Sequence, residues 1–253
     1  SCDHSRAAQM LKISFISGIL SSGMEVIDFG SMLLPMARSA IRFYRADGGI
    51  HISTSFEDNQ RLFIDFLDKN GSNIERAMER KIENAFARED FSRCEGDCIK
   101  GVKTIEGYGD FYLRSIINSV KSENMNFKIA VNSPSHFISS SISSLLEELG
   151  CSVEVMNLRF MNTLTMRQSN TSEDMNSFAG FIRDGKFDLG VSIGDNCEKM
   201  ILIDSKGRIV NEDMFIALIS LIIFKTIKGG TVVVPISASQ VVEKIASQHN
   251  GKV

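Results

Sequence analysis

The chain has 253 residues, 43% of them hydrophobic and 23% charged, a balance that excludes a disordered or fibrous protein and is ample for two cores of ordinary size. Its formal net charge is -3, with Lys and Arg interspersed among Asp and Glu, so no basic stripe exists to neutralise a phosphate backbone and no nucleic-acid partner is expected. The longest apolar run, Met214 to Phe224, is too short to span a bilayer and reads as a buried helix, so no membrane partner is expected.

Apolar residues at helical spacing predict a helix from Met10 to Leu20, stopped by Ser21-Ser22-Gly23, and then a short buried strand from Val26 to Phe29. A second helix follows Pro35 to about Tyr44, and the turn Ala46-Asp47-Gly48-Gly49 leads into a strand from Ile50 to Ser53. Leu62 to Leu67 reads as a strand closed by the turn Asp68-Lys69-Asn70-Gly71, followed by a charged helix from about Asn73 to Phe86. Residues 90–109 lack periodicity and read as irregular ahead of a helix from Asp110 to Val120.

After a short linker at Ser122-Glu123-Asn124, Phe127 to Val131 reads as a strand, Phe137 to Leu149 as a helix and Val153 to Met156 as a strand. Asn162 to Asn170 is polar and reads as a loop; Ser172 then caps a helix reaching about Asp184. Strands are predicted at Asp188 to Ile193 and Met200 to Asp204, the second turned by Ser205-Lys206-Gly207 before the apolar helix, about Asp213 to Ile227. Thr231 to Val234 reads as a last strand and Ser239 to Gln248 as a last helix, with another strand expected to begin at Gly251-Lys252-Val253.

Strands alternating with sheet-crossing helices predict an α/β protein of tandem α/β/α sandwich domains with mostly parallel, mixed sheets. The expected units are residues 1–121, 122–228 and the start of a third, 229–253. Sites in such folds form beyond the carboxyl ends of strands, which directs attention to the loops after strands 50–53 and 188–193.

Five cysteines are scattered along the chain, and only Cys94 and Cys98 lie close together. Neither a second Cys pair nor a His pair supplies the two further ligands that zinc needs, so free thiols in a reducing cytoplasm are expected. His4, His51, His136 and His249 have no paired metal-ligand spacing; His51, between two isoleucines on a strand, faces opposite to them and is either packed or solvated.

The run Gly48-Gly49-Ile50-His51-Ile52-Ser53-Thr54-Ser55 resembles the active-site segment of the α-D-phosphohexomutases, a Gly-Gly-containing strand leading into Thr-Ala-Ser-His-Asn-Pro. The order of Ile16-Ser17-Gly18-Ile19-Leu20, Val26-Ile27-Asp28-Phe29-Gly30 and Leu34-Pro35 upstream is similar to that family's first helix, second strand and following turn. Asp188-Leu189-Gly190-Val191-Ser192-Ile193 resembles the strand entering the family's metal loop, Asp204-Ser205-Lys206-Gly207-Arg208 the turn after it, and Thr231 to Ser237 the opening of a third domain. The wording of the first helix end is most similar to mutase-like regions fused to sugar nucleotidyltransferases of the mannose-1-phosphate guanylyltransferase type.

The resemblance implies phosphomannomutase or phosphoglucomutase chemistry, an isomerase reaction in which a phosphoserine, here Ser55, exchanges phosphate with a hexose phosphate. It also implies Mg²⁺ held by Asp-Gly-Asp-Ala-Asp-Arg, because a small hard cation takes oxygen ligands in octahedral array. The matching positions here are Gly194, Asp195, Asn196, Cys197, Glu198 and Lys199, so Asp195, Asn196 and Glu198 form either a degenerate oxygen site for Mg²⁺ or a solvated acidic turn. The family's Gly-Arg-Asp-Thr-Arg-x-Ser-Ser corresponds to Ser1 through Ala8, with both arginines lost, at Cys2 and Ser5; Arg6 and Lys199 are the remaining candidates for phosphate binding. After Ser55 come Phe56-Glu57-Asp58, two carboxylates that raise the electrostatic cost of a phosphate there. Counterparts of the family's third-domain sugar loop and fourth domain are not expected within these residues.

Losing charge-stabilising groups at several places predicts a degenerate, non-catalytic phosphohexomutase-like module with a structural, oligomerisation or sugar-phosphate-sensing role. Its expected partners are a hexose phosphate, a nucleotidyltransferase domain or a second copy of itself. The alternative is a fragment of an active phosphomannomutase or phosphoglucomutase working through phosphoserine at Ser55.

Overall fold

In the computed structural model the described residues are 1–55, 61–120, 125–133, 135–156, 172–194, 197–227 and 229–253. The first helix, α1 (Arg6–Ser21), starts where the Ser5 hydroxyl accepts the Ala8 N–H at 3.1 Å, satisfying one of the donors that a helix start leaves unpaired. Strand β1 (Val26–Asp28) and helix α2 (Leu34–Tyr44) follow, the latter opened by Pro35, whose missing N–H costs nothing in a first turn. Strand β2 (Gly48–Thr54) then pairs antiparallel with β3 (Leu62–Asp68). Helix α3 (Arg76–Ala87), strand β4 (Val102–Thr104) and helix α4 (Tyr108–Ser119) complete this half.

Its sheet is joined through the first residues of the chain. The Ile52 N–H donates to the Ser1 carbonyl and the Asp3 N–H to the Ile52 carbonyl, while on the other side the Cys2 N–H donates to Gly30 and the Met32 N–H to Cys2. Residues 1–3 therefore run parallel between β2 and the segment after β1, and β1 in turn pairs parallel with β4. Helix α2 covers this sheet with Leu34, Ala37, Ala40 and Ile41, which are buried together with Met32, Leu67 and Tyr108. The approach is close, since a Cβ at Gly49 would lie 2.5 Å from Ile41 Cδ1.

The second half carries a five-stranded sheet in the order β6-β5-β7-β8-β9. Strands β5 (Lys128–Asn132), β6 (Ser152–Val155) and β7 (Leu189–Ile193) are parallel, and β8 (Met200–Asp204) and β9 (Ile209–Val210) add an antiparallel edge. Helix α5 (His136–Glu148) connects β5 to β6, and α6 (Ser172–Asp184) inserts Phe178 and Ile182 against Ala130, Phe187 and Ile203, all but out of reach of solvent. Helix α7 (Glu212–Thr226) packs on α8 (Val241–Gln248). The mixed α/β/α class expected from the alternation is the class observed.

Several local expectations need correction. The stretch read as irregular contains a 3₁₀ turn, Gly96–Cys98, and β4, whose three exposed residues show no burial period. The strand expected at Thr231 to Val234 is reduced to one parallel bridge between Thr231 and Lys252, with Val233 92% exposed. Helix α7 is not buried: Ser220 and Phe224 face the interior, but Met214, Leu218, Ile219 and Ile222 are exposed, because an all-round apolar helix has nothing packed on its outer side among the described residues. No helix among the described residues is long and apolar enough to cross a membrane. The linker at 122–124 and the loop at 162–170 lie outside the described residues.

Candidate functional site

Ser55 sits at the carboxyl end of β2, where its N–H donates to the Arg61 carbonyl at 2.9 Å, and it is only 4% exposed. Asp3 holds this strand end against the start of α1: one carboxylate oxygen accepts the Thr54 N–H at 2.6 Å and the other the Ser5 N–H at 2.8 Å. The Thr54 hydroxyl donates to Ser5 Oγ at 2.5 Å, the same oxygen that caps α1. The two positions where the resemblance places arginines are thus part of the scaffold. Ser5 is a helix cap, and Cys2 is a wholly buried core thiol packed with Ala8 and Ile52, its acidity weakened by burial. Phe56, Glu57 and Asp58 lie outside the described residues.

Of the two environments its strand position allows, His51 takes the packed one, at 3% exposure, with Nδ1 3.0 Å from Ser1 Oγ. Burial, with the amino group of Ser1 and Arg38 adding and Asp3 opposing, pushes its pKa down to about 4, so the ring is neutral at ordinary pH. Across the sheet from it is Asp65, whose carboxyl is pushed up by burial, with Arg38 opposing and Glu198 adding. Nearby, Lys12 donates to both oxygens of Asp28 at 2.8 and 3.0 Å. Burial works against the charge on Asp28, yet Lys12 and the Gly30 N–H hold its pKa below the ordinary value.

After β7 the Gly194 N–H donates to the Lys199 carbonyl at 2.9 Å and the Cys197 N–H to the Gly194 carbonyl at 3.2 Å. Glu198 projects from it onto α2, where Arg38 donates to Glu198 Oε1 from Nε at 2.9 Å and from Nη2 at 2.6 Å. Asp195 and Asn196 lie outside the described residues. Arg6 and Lys199 are both exposed, and neither forms an ion pair with a described residue. A second contact between the halves is His4 edge-on to Phe137, ring centroids 4.0 Å apart. Two open clefts, of about 360 Å³ near Asn211, Asp213 and Pro235 and about 410 Å³ between α4 and α5, include none of these groups.

Among the described residues the loop supplies one carboxylate toward a cation, and that one already binds a guanidinium. The first acidic position, Gly194, has no side chain and its carbonyl serves the turn. No group of three or more His, Cys, Asp or Glu capable of holding a metal ion occurs among the described residues. The donors among the described residues do not by themselves make up the several oxygens in near-octahedral array that Mg²⁺ wants.

A family profile described as phosphoglucomutase/phosphomannomutase, alpha/beta/alpha domain I, matches residues 1–93, the part that carries Ser55 and its supporting strands. The chain is 28% identical over 251 residues to a phosphoglucomutase/phosphomannomutase of Thermococcus kodakarensis, covering 98% of this chain and 55% of that one. In sequence and in fold it is similar to the α-D-phosphohexomutases. A phosphoglucosamine/phosphogalactosamine mutase of Sulfurisphaera tokodaii is 29% identical over 242 residues, covering 92% of this chain and 53% of that one. The crystal structure of a phosphoglucomutase/phosphomannomutase family protein from Burkholderia thailandensis superposes with a TM-score of 0.84 at 13% identity, over 99% of this chain and 56% of that one, so the phosphohexomutase fold is shared. The chain spans about half the length of the relatives it matches.

Within this family context the sequence points to Ser55 and the 194–199 loop but not to what holds them. Asp3, Lys12 and Arg38 were not singled out as functional positions, although each organises a polar cluster. Asp3 carried a usable signal, an acidic residue retained between two lost arginines, whereas Arg38 carried none, since its partner is 160 residues away.

Proposed function

We propose that this chain is a catalytically silent phosphohexomutase-like module that keeps the family scaffold for a structural or ligand-sensing role. The observation that carries the reading is that the positions assigned to cations are committed to the fold, Cys2 to the core and Ser5 to the α1 cap. Phosphoryl transfer is mostly positioning and charge cancellation, and a phosphate dianion on a serine that is 4% exposed needs cations to offset its desolvation. The module's occupants are a hexose phosphate, a nucleotidyltransferase domain or a second copy of the chain, and its five free thiols favour a reducing cytoplasm. Mg²⁺ has no catalytic part in this reading.

The mutase names of relatives aligned over nearly the whole chain favour a second reading, a piece of an active phosphomannomutase or phosphoglucomutase. An assay of mannose and glucose 1-phosphate, with a bisphosphate activator and Mg²⁺, separates the two. The expected result is no turnover above that of Ser55→Ala and no phosphate on Ser55 by mass spectrometry. Turnover that Ser55→Ala abolishes rejects the silent module.

A further inference from the structure

Glu198 occupies the last acidic position of the loop in which phosphohexomutases hold a divalent cation, but its partner here comes from the other half of the chain. Arg38 lies on α2, and all three of its guanidinium nitrogens are engaged. Nε and Nη2 donate to Glu198 Oε1 at 2.9 and 2.6 Å, Nη1 donates to the Gly71 carbonyl at 2.8 Å, and Nη2 also donates to Asn73 Oδ1 at 2.8 Å. The anchor at Gly71 is built by the β3 turn, where Asp68 accepts the N–H groups of Asn70 and Ser72 and Gly71 takes φ +72. A guanidinium fixed on a backbone carbonyl and a side-chain amide is pre-organised for a carboxylate in a way that a mobile surface pair is not. The Arg38 side chain is 18% exposed and that of Glu198 37%, so the contact is partly withdrawn from water.

A divalent ion and a guanidinium compete for the same oxygen. With Gly194 offering no side chain, a cation drawn to Glu198 Oε1 would meet Arg38 already there, and it would need several further oxygens that the described residues of this loop do not supply.

We infer that Arg38 stands in for the divalent cation at this loop, neutralising Glu198 and tying α2 of the first half to the 194–199 turn of the second. Glu198 then keeps its place without metal, and the tie is indifferent to chelators. The tie is independent of whether Ser55 accepts phosphate.

The test reads metal binding and melting rather than turnover, so its failure is distinct from that of the silent-module reading. Mn²⁺ titrated into the 253-residue chain is followed by its paramagnetic resonance signal, and melting is recorded in Mg²⁺ and in chelator. Arg38→Met and Glu198→Gln are melted singly and together. The expected result is no site for Mn²⁺ that Glu198→Gln removes, the same Tm in Mg²⁺ and chelator, and a Tm lowered by roughly 2–4 °C in each single variant but no further in the double. Saturable Mn²⁺ binding that Glu198→Gln removes overturns the inference, and so do single-variant losses that simply add. The Mn²⁺ titration of the unaltered chain decides the metal question even where a variant fails to fold.

Discussion

Acidification gives a quantitative test of the neutral, buried His51. In the unfolded chain its imidazole binds a proton below the ordinary value of 6.5, whereas in the folded chain it does so only below about 4. Between these two values the unfolded state holds more protons, so stability rises with pH across this window and is progressively lost on descending from 6.5 to about 4. Each tenfold change in the proton equilibrium is worth about 1.4 kcal/mol, so the full descent costs about 3 kcal/mol. At 3% exposure there is little water to screen the ring and reduce that figure. Urea unfolding at a series of pH values, for the unaltered chain and for His51→Gln, isolates this contribution because the other histidines are common to both. The stability difference between the two should change by about 3 kcal/mol over the window, with the unaltered chain the steeper of the pair. Parallel pH profiles would refute the assignment of a dry, unprotonated ring to this position.

Gly71→Ala should destabilise the chain by more than about 1 kcal/mol, since it forces a side chain into the left-handed region and sets a Cβ 2.3 Å from the Arg38 carbonyl oxygen; an unchanged urea midpoint would contradict this. Phe178→Ala empties a fully buried position under α6 and should cost roughly 3–5 kcal/mol by urea unfolding, a smaller loss meaning that the second core collapses around the gap.

Most helices and the longer strands were legible because one face of each is buried, which imposes a period on the sequence. Strand β4 escaped notice because its three residues are all exposed and only the parallel ladder with Val26 to Asp28 makes them a strand. The exposed outer side of α7 was misread for the opposite reason: its apolar residues encircle the helix, so composition could not say which side would find a neighbour. At the candidate site, the losses at Cys2, Ser5 and Gly194 were visible residue by residue. Their replacements' new duties, as core thiol, helix cap and turn, depend on neighbours that the linear pattern does not supply.

The amino-acid sequence by itself determined the α/β/α class, most of the element order and the resemblance to the phosphohexomutases, because hydrophobic period and motif order are local properties that survive at low identity. Tertiary structure alone decided that His51 is buried, that Asp3 binds a strand end to a helix start, and that Glu198 meets Arg38. Those outcomes depend on which residues far apart in the chain are brought within a few ångströms, and electrostatic and hydrogen-bond energies are set at that distance.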